Sequence, residues 1–204
     1  MSALALADAQ AHHDRVRELI LRGIFLTRRS ELDWFYRDGC NWLFPEAFAE
    51  FTRAIPEKER GDMIGAYYKR LTSTDEDIRL AAARAWTSWE GRTLSLLSDH
   101  DRKRYCTADH YALALARIEC HYVLHGGFFE DDGQLLRNAE RLSAIPGTIV
   151  HGRYDVVTPM KNAFDLSNAW PLAALRVVSD AGHAMTEPGI VHALIAATRI
   201  YAGD

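Results

Sequence analysis

Ile145-Pro-Gly-Thr-Ile-Val-His-Gly-Arg-Tyr-Asp155-Val-Val157 decides the fold. A Pro-Gly turn delivers the chain into Thr148-Ile-Val-His151, a short run rich in β-branched residues that reads as a strand buried on both faces. The alternation then repeats, with a helix from about Met160 to Trp170, an apolar run Leu175-Arg-Val-Val-Ser179, and a terminal helix from about Pro188 to Ala202. Strand and helix in alternation imply a parallel sheet carrying helices. Upstream, Glu18-Leu-Ile-Leu-Arg-Gly-Ile-Phe25 is a second apolar run ended by glycine and predicts another parallel strand, with Leu19 to Ile24 as its body. Ahead of that run, the alanine- and leucine-rich stretch from Met1 to Ala11 predicts a helix that begins without a cap.

The middle of the chain differs in character. From about Arg29 to Arg141 it is rich in Trp, Tyr, Ala and charged residues at helical spacing, with Pro45, Pro56 and Ser73-Thr-Asp75 as breaks between helices. The expected class is α/β: core over 1–28, an inserted all-helical cap over 29–144, and core again over 145–204.

Composition narrows the function classes. The 204 residues are 48% hydrophobic and 25% charged, ordinary values for a globular domain, and long enough for one sizeable core. A net charge of -4 with both signs interspersed provides no basic stripe, so nucleic acid is not an expected partner. Cys40, Cys106 and Cys120 are widely spaced and odd in number, which reads as reduced thiols in a cytoplasmic protein. No apolar run approaches membrane-spanning length and no charged segment leads into a long apolar one, so neither membrane nor leader is expected.

Asp155 follows a strand, and Asp180-Ala-Gly-His183 forms a turn after the next one. An aspartate and then a histidine at successive strand ends is the late part of a Ser…Asp…His catalytic order, whose nucleophile comes first in a Gly-x-Ser-x-Gly elbow. No serine here has that setting, and Ser2 falls within the predicted first helix, where an elbow serine does not sit. By themselves these two motifs are also compatible with a turn-capping Asp155 and an ordinary loop histidine. His121 and His125, four apart with Glu119 nearby, have a spacing compatible with metal ligands; without a His-Glu-x-x-His pattern they read as packing histidines, and no metal or cofactor is expected.

A specific resemblance rests on Leu21-Arg-Gly-Ile-Phe-Leu26, Asp33-Trp-Phe-Tyr-Arg-Asp-Gly39, Trp42-Leu-Phe-Pro45, Ala82-Ala-Arg-Ala-Trp86, Trp89-Glu-Gly91, Ala116-Arg-Ile-Glu-Cys-His-Tyr122, Gly126-Gly-Phe-Phe129, Gly152-Arg-Tyr-Asp-Val-Val157 and Ala181-Gly-His183. Together these stretches resemble the proline iminopeptidases, serine peptidases of the α/β-hydrolase class that release N-terminal proline. The resemblance implies a partial α/β-hydrolase sheet, its last three parallel strands, with the helical cap inserted. It implies Asp155 and His183 as triad acid and base, Glu90 and Glu119 as the carboxylates that bind the substrate's amine, and Phe25 and Phe35 as the apolar wall around the proline ring. Read as residues, the two glutamates are also compatible with solvated helical carboxylates or ion-pair members, and the two phenylalanines with core aromatics. Val123 stands where the family tends to carry an aromatic.

In that family Gly-Gly-Ser-Trp-Gly precedes Ser-Thr-Leu-Ala-Leu-Ala-Tyr, which Ser2-Ala-Leu-Ala-Leu-Ala-Asp8 resembles. The nucleophile would then fall just before Met1, and the His-Gly-Gly-Pro-Gly segment assigned to the oxyanion hole is also not among these residues. Peptides with N-terminal proline are the expected ligands, and the 204 residues by themselves are expected to lack turnover. The alternative is a non-catalytic module that captures N-terminal proline or a partner through the cap. The strand Leu19 to Ile24 would present a bare edge inviting self-association.

Overall fold

The computed structural model describes residues 2–97 and 109–202. Met1, expected to begin the first helix, and Cys106, expected to be a reduced thiol, lie outside them. Two compact units emerge: Met1–Glu31 with Leu94–Leu96 and Glu130–Asp204, and Leu32–Thr93 with Leu97–Phe129.

The first unit holds a parallel sheet of β1 (Leu19–Arg22), β2 (Gly147–Gly152) and β3 (Ala173–Val178), in that order. Leu21 pairs with Ile149, and Ile149 with Leu175. β2 is buried at every position, as its run of β-branched residues requires when strands flank it on both edges. Helix α1 (Ser2–Ala11) packs on β1, while α8 (Met160–Ala169) and α9 (Pro188–Ala202) pack on β2. A short helix, α7 (Gln134–Arg137), receives the side chain of Gln10, whose Nε2 donates to the Leu135 carbonyl at 2.7 Å.

Two strand boundaries differ from the sequence pattern by two residues each. β1 stops at Arg22, two residues short of Ile24, because Gly23 takes φ +55° and turns the chain out of the sheet. β3 begins at Ala173 instead of Leu175, since Ala173 and Ala174 extend the ladder opposite Gly147 and Thr148. Alanine is a weak strand former, so this pairing is set by the partner strand and not by local preference.

The second unit is helical: most of α2 (Arg29–Tyr36), then α3 (Pro45–Arg53), α4 (Met63–Leu71), α5 (Glu76–Thr93) and α6 (Asp109–Leu124). The breaks read from the sequence have physical causes. Pro45 occupies the first helical turn of α3, where its missing N–H costs nothing. Asp62 caps α4 by accepting from the Gly65 N–H at 3.0 Å, and Asp75 accepts from the Asp77 and Ile78 N–H groups ahead of α5. Along α5 Ala82, Ala83, Trp86, Trp89, Glu90 and Thr93 are among the buried positions and recur at helical spacing on its inner face. That face meets an aromatic core in which Phe51 stacks on Tyr67 with ring centroids 4.6 Å apart and Tyr36 stacks on Trp86 at 4.8 Å. Cys40 and Cys120 are buried thiols in this unit. Among the described residues no helix is long and apolar enough to cross a membrane.

Candidate active site

Asp155 and His183, 28 residues apart in sequence, meet at the C-terminal end of the sheet with Oδ2 and Nδ1 2.8 Å apart. The aspartate sits in a turn immediately after β2. Its Oδ1 accepts from the Val157 N–H at 3.1 Å and the Thr158 N–H at 2.8 Å. Its Oδ2 accepts from the Thr158 hydroxyl at 3.0 Å in addition to facing His183. Burial alone would push this carboxyl up, but the adjoining imidazoles of His183 and His151 and the Thr158 amide outweigh it and hold the group below the usual aspartate range. An ionised Asp155 draws the Nδ1 proton of His183 toward itself. The imidazole Nε2 is thereby left as the lone-pair nitrogen, the arrangement a general base needs.

Backbone contacts fix this approach. At Gly152 a Cβ would lie 2.0 Å from the Gly182 carbonyl oxygen, so only glycine lets the histidine turn settle on the end of β2. The Arg153 N–H donates to the Val178 carbonyl at 2.8 Å and the Tyr154 N–H to the Ala181 carbonyl at 3.0 Å, joining the two turns. The His183 N–H donates to the Leu94 carbonyl at 2.9 Å, the Glu187 carboxylate accepts from the Gly182 N–H at 2.9 Å, and Arg22 Nη1 donates to the His183 carbonyl. Gly23, at φ +55°, faces the ring: a Cβ there would stand 2.8 Å from His183 Cε1. Gly23→Ala is therefore expected to lower stability by about 1–2 kcal/mol, through the left-handed backbone and the displaced ring together, measurable by thermal unfolding. An unchanged melting temperature would show that the ring is not packed on this glycine.

Thr158 and His151 were not singled out by the sequence pattern. His151 is fully buried in β2; its Nδ1 accepts from the Ile24 N–H at 3.3 Å and its Nε2 donates to the Thr158 carbonyl at 2.8 Å. Burial holds His151 below the usual histidine range against the pull of Asp155, in keeping with the neutral form these two bonds require. An Asp-x-x-Thr turn was the available signal for Thr158. For His151 there was none, because a histidine in an apolar strand carries no spacing of its own.

In the second unit Glu90 is 7% exposed and accepts from the Tyr36 hydroxyl at 3.0 Å. Burial first, and the charge of Glu119 second, push its carboxyl well above the ordinary range. Glu119, on α6, accepts from Trp86 Nε1 at 2.8 Å. Phe35 is buried edge-on to Tyr36, with centroids 4.9 Å apart, and lies against Trp89 at 5.2 Å. Phe25 belongs to the first unit, where it is half-buried, so the two phenylalanines are not neighbours within one unit. Val123 is buried on α6. His121 stacks on Tyr68 and His125 on Phe128, with centroids 5.8 and 5.2 Å apart. Ser2 Oγ donates to the Gly23 carbonyl at 3.1 Å and accepts from the Phe25 N–H at 2.9 Å, so the hydroxyl ties α1 to the chain after β1.

No family model matches the chain. It is 54% identical over 197 residues to a proline iminopeptidase of Xylella fastidiosa, covering 97% of this chain and 63% of that protein. It is 54% identical to a probable proline iminopeptidase of Leptolyngbya boryana, covering 61% of it, and 50% identical to a proline iminopeptidase of Arabidopsis thaliana, covering 52%. The chain thus spans between half and two thirds of the length of these relatives. Among solved structures, a meta-cleavage product hydrolase from Pseudomonas fluorescens IP01 aligns with a TM-score of 0.48 at 16% identity, over 99% of this chain and 62% of that one.

Proposed function

We propose that this chain belongs to the proline iminopeptidase family, which it matches along 97% of its own length, and that it contributes the acid, the base and the amine-binding carboxylates to serine-dependent release of N-terminal proline. The observation that carries this reading is the 2.8 Å contact between Asp155 Oδ2 and His183 Nδ1, which engages one ring nitrogen and leaves Nε2 as the one to act as base. The attacking serine comes from outside these 204 residues. Ser2 is not it, because its oxygen is engaged with the backbone of Gly23 and Phe25.

In the proposed cycle His183 Nε2 takes the serine proton as the serine oxygen bonds to the prolyl carbonyl carbon. The same proton passes to the leaving amine as the C–N bond breaks. Water, deprotonated by His183, then hydrolyses the prolyl ester and returns the serine. Asp155 stabilises the imidazolium without itself being protonated. Glu90 and Glu119 take the secondary ammonium of the N-terminal proline, whose positive charge relieves the repulsion between two nearby carboxylates in a site from which water is largely removed.

The test joins the upstream segment of the Xylella relative to this chain and measures release of proline from a prolyl dipeptide. Turnover is expected in the joined protein, and none from the 204 residues alone, which should still bind the dipeptide. Turnover by the 204 residues alone, surviving Ser2→Ala, would overturn the external serine. A joined, folded protein that hydrolyses simple esters but not prolyl dipeptides would overturn the substrate assignment.

A further inference from the structure

Thr158 is committed with all three of its polar groups to the neighbourhood of one carboxylate. Its amide donates to Asp155 Oδ1 at 2.8 Å, its hydroxyl donates to Asp155 Oδ2 at 3.0 Å, and its carbonyl accepts from His151 Nε2 at 2.8 Å. The hydroxyl oxygen also stands 3.2 Å from His183 Nδ1. Thr158 is 5% exposed, so water does not replace these bonds. A hydroxyl carries one hydrogen, and here the carboxylate oxygen at 3.0 Å takes it. Asp155 Oδ2 therefore receives two donors, the Thr158 hydroxyl and the His183 ring, while Oδ1 receives two backbone amides.

We propose that Thr158 is a positioning residue for the Asp155–His183 pair, acting through Asp155: amide and hydroxyl grip one carboxylate oxygen each, so that the carboxylate holds a single orientation and its charge. The inference rests on reading that pair as the acid and base of the proposed reaction. Its own subject is the state of Asp155, which needs no turnover to be measured. His151 serves as the anchor, since its neutral ring joins the Thr158 carbonyl to the Ile24 amide at the end of β1. The groups facing Asp155 are His183, His151 and, from β1, Arg22; Glu187 faces the neighbouring Gly182 amide.

A hydroxyl that donates to a carboxylate favours the ionised form, whereas a methyl of the same shape leaves one lone pair unanswered in a dry site. The experiment compares Thr158→Val, which preserves the shape, with Thr158→Ser, which restores the hydroxyl, in the 204-residue chain. Melting is followed from pH 7 down to pH 2. Thr158→Val is expected to melt about 3–5 °C lower at pH 7, corresponding to roughly one pH unit at the carboxyl. The deficit should shrink as Asp155 becomes protonated in both folded and unfolded chains. Thr158→Ser should keep most of the native value throughout. A deficit of the same size at every pH would assign Thr158 to packing alone and overturn the proposal, as would a valine variant equal to the native chain.

Should Thr158→Val fail to fold, the native chain decides the matter by NMR. A Thr158 hydroxyl proton protected from solvent exchange, with a cross-peak to the His183 Nδ1 proton, is expected; a freely exchanging hydroxyl overturns the proposal.

Discussion

Asp155→Asn is expected to cost about 3–5 kcal/mol at pH 7, the range found when one partner of a buried charged pair is removed. Asparagine keeps the shape but replaces an acceptor oxygen with an NH2 group, and either orientation sets a donor against donors. The Val157 and Thr158 amides fill one side, and the Thr158 hydroxyl and His183 Nδ1 the other. In a catalytically complete form, turnover should fall by about 10⁴-fold, because the imidazole loses the partner that fixes its tautomer. The stability loss should depend on pH in a defined sense. Asp155 is held below its unfolded value, so its contribution is complete above about pH 4 and is lost as pH falls through the lower folded value. The two unfolding curves should therefore converge in acid. His151 adds a separate acid-sensitive limb below about pH 6.5, since the unfolded chain protonates where the buried ring does not, and the variant retains it. Urea unfolding at several pH values measures this; a gap that stays constant down to pH 2 would contradict the ionised, paired Asp155.

Glu90→Gln is expected to act with the opposite sign on stability while impairing binding. Glu90 is as buried as Asp155, but it accepts from the Tyr36 hydroxyl, and burial first and the charge of a second carboxylate, Glu119, push it up. Its carboxyl is thus raised where that of Asp155 is lowered. A group raised on folding contributes stability below the ordinary glutamate value near about pH 4.3, and that contribution is lost as pH rises through the folded value. Glutamine accepts the same Tyr36 hydrogen bond and does not titrate. The variant should be more stable by about 1–3 kcal/mol at pH 7, with the gain growing from pH 4 upward. Affinity for a prolyl dipeptide should fall at least about tenfold, roughly 1.4 kcal/mol, since half of the charge offered to the ammonium is gone. Calorimetric titration and melting on the same sample check both effects. Unchanged affinity would remove Glu90 from the amine site, and a pH-independent gain would mean that the charge is not what it costs to bury.

The same residue type thus reaches opposite ends of its range through its surroundings. Asp155 is met by four donors brought from two turns. Glu90 lies on the inner face of α5, where apolar and aromatic neighbours surround it. Sequence alone places Asp155 after a strand, with an Asp-x-x-Thr turn as a source of local donors, and Glu90 beside Trp89, but it does not reveal His183 or Tyr36 as partners, because these lie far away along the chain. Tyr36 and Glu90 are 54 positions apart, and Ile24 and His151 are 127 apart.

What the sequence determined by itself were the elements and their kind. Periodicity distinguishes the apolar runs at Leu19 and Thr148 from the helical stretches, and proline and capping aspartates mark the breaks at Pro45 and Asp75, because these signals act within a few residues. It also brought Asp155 and His183 forward as a pair through their position at successive strand ends. Tertiary structure decided the rest: that Gly152 admits the Gly182 carbonyl, that Arg22 holds the His183 carbonyl, and that His151 within β2 stands behind the turn in which Thr158 grips the carboxylate. These depend on the parallel register of β1, β2 and β3, which carries the ends of distant segments to one edge of the sheet. A donor and an acceptor can be named from sequence, but whether they stand 2.8 Å apart is fixed only when the strands that carry them are paired.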